Sequence, residues 1–182
     1  MIYLIGGAPR AGKSLLGQRL CTTRSVGWVS TDLLMELLRV ANAAGRKVKW
    51  DAAPEAIRAH AEWFFPYLER FIWGVSSLAD HYVIEGVDFL PAQVAQLSTQ
   101  YPIRTVFLGC SRMTLEGLNQ YSGRSGYGGL PEALGRQIVE DVPRWSAFIR
   151  QEAERFGYAY VDMVSDFSQR LAEAEIMLTT GV

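Results

Sequence analysis

The chain has 182 residues, enough for a single domain (1–182) with a sizeable core, and its 49% apolar and 20% charged side chains match a soluble globular protein. Eighteen basic and nineteen acidic residues leave a net charge of −1, so the sequence offers no general pull toward nucleic acid or anionic membrane. No apolar run reaches membrane-spanning length, and Cys21, Cys110, His60 and His81 show no metal-type spacing. The expectations are reduced thiols, packed or surface histidines and a cytoplasmic location.

In chain order, "MIYLIGG" has no basic segment ahead of its apolar residues and reads as a strand, not a signal peptide. Strand-like runs follow at 27–30 (GWVS), 82–86 (YVIEG), 104–109 (RTVFLG) and 159–163 (AYVDM), with the first at 2–6. Their nearly continuous apolar character suits strands covered on both faces, and the helix-length segments between them predict a parallel sheet with helices on both sides. "STDLLMELLRVANAAG" begins at a Ser/Thr cap, carries Asp32 in its first turn and stops at Gly45. Leu33, Leu34, Leu37, Leu38 and Ala41 are predicted to form its apolar face. From Pro54 to about Ala79, Ile57, Ala61, Phe64, Phe65, Leu68, Phe71, Ile72 and Val75 recur at helical spacing. Pro66 is expected to kink or split that helix, because it removes a backbone donor. Trp145, Phe148, Ile149, Glu152 and Phe156 mark another helix closing at Gly157, and Phe167, Leu171 and Leu178 mark the last. The stretch 121–135, "YSGRSGYGGLPEALG", has five glycines and no periodicity. It reads as a plain loop or as part of a moving lid over about 119–136.

Gly7, Ala8, Pro9, Arg10, Ala11, Gly12, Lys13 and Ser14 satisfy G-x-x-x-x-G-K-[ST], with a strand before them and a helix after. Gly7 and Gly12 allow the backbone angles that turn successive N–H groups inward around an anion. The helix that opens near Lys13, and runs on through Leu15, adds the positive end of its dipole. Lys13 suits the terminal phosphates of a nucleotide, and the Ser14 hydroxyl is a hard oxygen ligand for Mg2+. A glycine turn with an incidental Lys-Ser is the bland alternative, and the matching flanks weigh against it.

Two acids extend this from binding to chemistry. Asp32 follows the second strand and Glu85 ends the third, so in a parallel sheet both lie on the rim where Lys13 and Ser14 sit. One is suited to accept a proton from a hydroxyl, the other to orient Mg2+ through water. Asp32 as a helix cap and Glu85 as a solvated acid remain the structural alternatives. N-K-x-D and L-S-G-G-Q are both absent, which argues against a GTPase or a transporter ATPase, and the chain is short for a motor with a second helical domain.

"GGAPRAGKS", "VSTDLL" and "YVIEGVDFLP" in succession resemble the small-molecule branch of the P-loop kinases, above all 2-phosphoglycerate kinase-like proteins. The resemblance to zeta-toxin and chloramphenicol phosphotransferase-type kinases is more distant. It is specific over roughly 2–92 and architectural beyond. It implies a P-loop fold with sheet order 2-3-1-4-5, ATP as donor, Mg2+, and an acceptor between the second and third strands beside a helical region of about 46–80. It places Asp32 opposite the acceptor hydroxyl and Glu85 at an acid or acceptor-contact position. Asp88 stands where 2-phosphoglycerate kinases usually carry a histidine, so the resemblance does not carry the acceptor over.

Phosphoryl transfer calls for a closing arginine, and Arg124 in the glycine-rich stretch is the first candidate, ahead of Arg112 and Arg136. Trp50, Trp63, Tyr67 and Trp73 border the acceptor region; Trp63 and Tyr67, off the main apolar stripe, are candidates to line a pocket. Adenine is expected near Val164 and Ser165. The resulting expectation is an ATP- and Mg2+-dependent kinase of a small hydroxylated molecule, working as monomer or homodimer without nucleic acid or membrane. A nucleotide-binding regulatory module and a nucleoside or nucleotide kinase are the competing readings.

Overall fold

The structure is a computed structural model that describes residues 1–41, 53–120 and 131–180. The parallel strands are β1 (Ile2–Gly7), β2 (Gly27–Ser30), β3 (Tyr82–Glu85), β4 (Ile103–Gly109) and β5 (Ala159–Asp162). They pair in the order β2-β3-β1-β4-β5, as the resemblance to P-loop kinases implied. β1 is central, and the chain passes from one side of it to the other, which makes its carboxyl end the point where a ligand cleft forms.

Alternation along the strands sorts the core into two layers. Ile2, Leu4, Ile84 and Phe107 face one side, where they meet α3 (Pro54–Leu78), α4 (Pro91–Leu97) and α6 (Glu132–Phe156) through Phe64, Leu68, Val94 and Phe148. Tyr3, Ile5, Val83, Val106 and Leu108 face the other, against Leu16 and Leu20 of α1 (Lys13–Arg24) and Ala174 and Leu178 of α7 (Phe167–Thr180). Fully buried side chains such as Phe64 and Leu68 each contribute about 1.5–3 kcal/mol, and they anchor α3 beside the rim.

Three local expectations are corrected. α3 is not split at Pro66: the ring sits on the exposed face, where water can satisfy the carbonyl that loses its donor. In α2 (Thr31–Ala41) the buried residues are Thr31 and Met35, with Leu34 and Leu38 packed against the core. Leu33 and Leu37, predicted to share the apolar face, are exposed. Finally, residues 132–136 form the start of α6 and not a loop; Gly135 is buried there, and a Cβ on it would stand 3.2 Å from Leu115 of α5 (Leu115–Gln120). The close approach of those two helices draws this end of the stretch into regular structure. Residues 121–130 and 42–52, which hold the rest of the expected lid with Arg124, and Trp50, lie outside the described residues.

Candidate active site

The cradle begins where β1 runs out. Ala8 N–H still bonds the Leu108 carbonyl at 2.9 Å, so the turn starts in register with β4. Gly7 has φ 132°, and a Cβ there would lie 2.0 Å from the Leu108 carbonyl oxygen; only glycine fits. Arg10 takes a left-handed φ of 63°, and Gly12, at φ 86°, caps α1. The first N–H groups of α1 therefore converge on the loop without helical partners. Ala8, Pro9 and Ala11 are buried and Leu15 is exposed, and none of the four offers a ligand a polar side chain.

Lys13 is only 7% exposed and folds back along the loop, its Nζ donating to the Ala8 carbonyl at 2.7 Å. Burial pushes its pKa down, while Glu85, Asp32 and Asp88 hold it up. Ser14 Oγ donates to Glu85 Oε1 at 3.0 Å. Glu85 is buried at the end of β3, with Ser30 of β2 on one side in register and Ile5 of β1 on the other. Burial raises its pKa; Lys13, Ser30 and Ser14 work against that rise. Asp32 is exposed in the first turn of α2, with its N–H donating to Ser30 Oγ at 3.3 Å, so the helix start is capped by Ser30 and the carboxylate is left free of capping. Partial burial of the carboxyl raises its pKa, Asp88 raises it further, and Lys13 opposes both.

These side chains fit a magnesium ion. A hydroxyl whose proton goes to Glu85 keeps its lone pairs for the metal, and Mg2+ is normally held by one or two protein oxygens plus phosphates and water.

Three residues that sequence reasoning did not assign to the site join it. Asp88 is 2% exposed; Thr31 Oγ1 donates to its Oδ2, and His60 Nε2 lies 2.6 Å from its Oδ1. The hub ties α2, α3 and the segment after β3 together. Its sequence signal was weak: an acid three residues beyond Glu85 and a histidine on a helix, each common on surfaces. Gly86 makes it sterically possible, since a Cβ there would lie 1.7 Å from the buried Thr31 hydroxyl. Gly86→Ala is therefore expected to destabilise the fold by about 1–3 kcal/mol. A denaturant midpoint equal to that of the parent would refute the tight approach.

Arg136 is paired with Glu132 at 2.5 Å on the surface of α6, and Arg112 is exposed after β4. Trp63 is half-buried between His60 and Tyr67, with ring centroids 5.7 and 5.4 Å away. Trp73 is 51% exposed under the Arg70 guanidinium, more than three turns from His60 along α3. The segment after β5 reaches the cradle: Phe167 lies against Gly12, where a Cβ would be 2.8 Å from its ring, and Ser165 turns the chain at φ 82°.

Neither models of known protein families nor the sequences of curated proteins match this chain. Solved structures do. A gluconokinase from Sinorhizobium meliloti 1021 is 17% identical, with 98% of this chain and 91% of that one covered at a TM-score of 0.50. Shikimate kinase from Acinetobacter baumannii, solved with shikimate, gives 18%, 99%, 92% and 0.51 for the same quantities. A sugar kinase from Janibacter sp. HTCC2649 gives 14%, 98%, 94% and 0.53. The fold is that of the small-molecule P-loop kinases. At these identities the likeness is one of architecture. Among the described residues no helix is long and apolar enough to cross a membrane.

Proposed function

We propose that this chain transfers the terminal phosphoryl group of Mg-ATP to a hydroxyl of a small molecule. The observation that carries the reading is the contact of Ser14 with the buried Glu85, beside a buried Lys13 and under the rim that holds Asp32. The likeness of fold to kinases of gluconate, shikimate and sugars supports it. A kinship with 2-phosphoglycerate kinase-like proteins rests on the sequence motifs alone.

The residues divide the work as follows. The backbone from Gly7 to Leu15 and the N-terminus of α1 bind the phosphates. Lys13 exchanges its bond with the Ala8 carbonyl for the transferring phosphate and neutralises charge as it develops there. Ser14 and Glu85 would hold Mg2+, whose charge, when bound, would offset that of the phosphates. Asp32 takes the proton of the attacking hydroxyl. Arg124 is assigned to close on the phosphates from the glycine-rich stretch, and the segment after β5 to border the adenine.

A panel of sugars, polyols, hydroxy acids, amino alcohols, nucleosides and antibiotics tests the reading by ADP release. At least one acceptor is expected to raise release well above the rate without acceptor, and chelation by EDTA to abolish it. Mg-ATP binding without any such acceptor would instead identify a regulatory nucleotide-binding module.

A further inference from the structure

Asp88 is buried with both carboxylate oxygens engaged, by Thr31 on one side and His60 on the other. A carboxylate only accepts hydrogen bonds, so the hydrogen shared with His60 belongs to Nε2. In the neutral form of the imidazole the lone pair then sits on Nδ1, which has no hydrogen-bond partner among the described residues. The His60 side chain remains 14% exposed, and its ring is steadied by Trp63 and by a stacked Phe64, 12° from parallel. Thr31, the residue before Asp32, is the other arm of the same hub. A histidine fixed in one tautomer, two hydrogen bonds removed from the helix start that carries the proposed base, is more than a core residue needs: packing alone would be met by any flat ring.

We infer that His60 contacts the acceptor, with Asp88 as its positioning residue, so that Nδ1 receives a hydrogen bond from a second donor group close to the reacting hydroxyl. The inference rests on the phosphotransfer reading and narrows its acceptor to diols, polyols and amino alcohols. A simple mono-alcohol leaves Nδ1 unmatched, and a site built to bond a hydroxyl or amine discriminates against analogues that lack it.

Two measurements test this. The first needs no acceptor: nitrogen-15 correlation spectra of the whole protein contain two histidines, and His81→Gln assigns them. His60 is expected as the Nε2–H tautomer at mildly alkaline pH; the Nδ1–H tautomer, or an even mixture, overturns the assignment. The second uses the best acceptor from the panel and its deoxy analogues. His60→Gln keeps a donor for Asp88 and removes Nδ1, so KM is expected to rise roughly tenfold with kcat little changed. One deoxy analogue should cost the parent about the same factor and cost His60→Gln nothing further. A parental KM in His60→Gln, or equal losses on every analogue, overturns the contact while leaving phosphotransfer intact. Mg-ATP binding with no acceptor anywhere in the panel overturns the phosphotransfer reading, and the contact with it.

Discussion

Asp32→Asn lowers kcat by about 10²–10⁴-fold, the range for a lost general base, and leaves Mg-ATP affinity nearly unchanged. The asymmetry follows from placement. The carboxylate belongs to the first turn of α2, while the phosphates are assigned to the β1–α1 turn. The pH profile separates this role from simple helix capping. Asp32 works as a base only when ionised, and burial with Asp88 nearby raises its pKa, Lys13 only partly opposing. The parental rate should therefore fall with decreasing pH at a value above the ordinary carboxylate range of about 4, and stay flat above it. Stability carries the opposite sign. A carboxyl whose folded pKa is raised contributes most below its unfolded pKa, and that contribution is lost as pH rises through the folded value. The ionised form that serves catalysis is thus the less stable one, and Asp32→Asn should not lower the melting temperature at neutral pH. Parental turnover in the Asn variant would remove Asp32 from the mechanism.

Lys13→Ala is the second large effect, expected to weaken Mg-ATP binding and to lower transfer by about 10²–10³-fold. The ammonium lies among three acids, Glu85, Asp32 and Asp88, all of which favour its charged form against burial. The other cation of the loop, Arg10, reaches the Leu118 carbonyl of α5 at 3.4 Å. Lys13→Arg should rescue little, because the guanidinium is broad and planar where the site holds a compact point charge beside the Ala8 carbonyl. Transfer by Lys13→Ala at the parental rate would show that the loop does not hold the reacting phosphate.

Much of this was legible before any coordinates. The five strands fall within a residue or two of their expected bounds, because runs such as "YLIG" and "VFLG" carry no polar side chain in their centre and are bounded by turns. The cradle was legible because its chemistry is local: the glycines, Lys13 and Ser14 are specified by spacing alone. Errors arose where two signals competed. The leucines of α2 supply more apolar positions than one packing face uses, so Leu33 and Leu37 were assigned inward and lie outward. At Pro66 the general cost of a helical proline was expected to break α3, and exposure of that position relieved it.

The amino-acid sequence by itself determined the glycine-rich β1–α1 turn, the strand set and the two acids at the start of α2 and the end of β3, since each is written in a short window. Only the tertiary structure decided which of those groups touch. Ser14 meets Glu85 across 71 residues, Thr31 meets Asp88 across 57, and His60 meets Asp88 across 28. Such pairs depend on sheet order and on the packing of α3 against the sheet, and no periodicity within a segment records them.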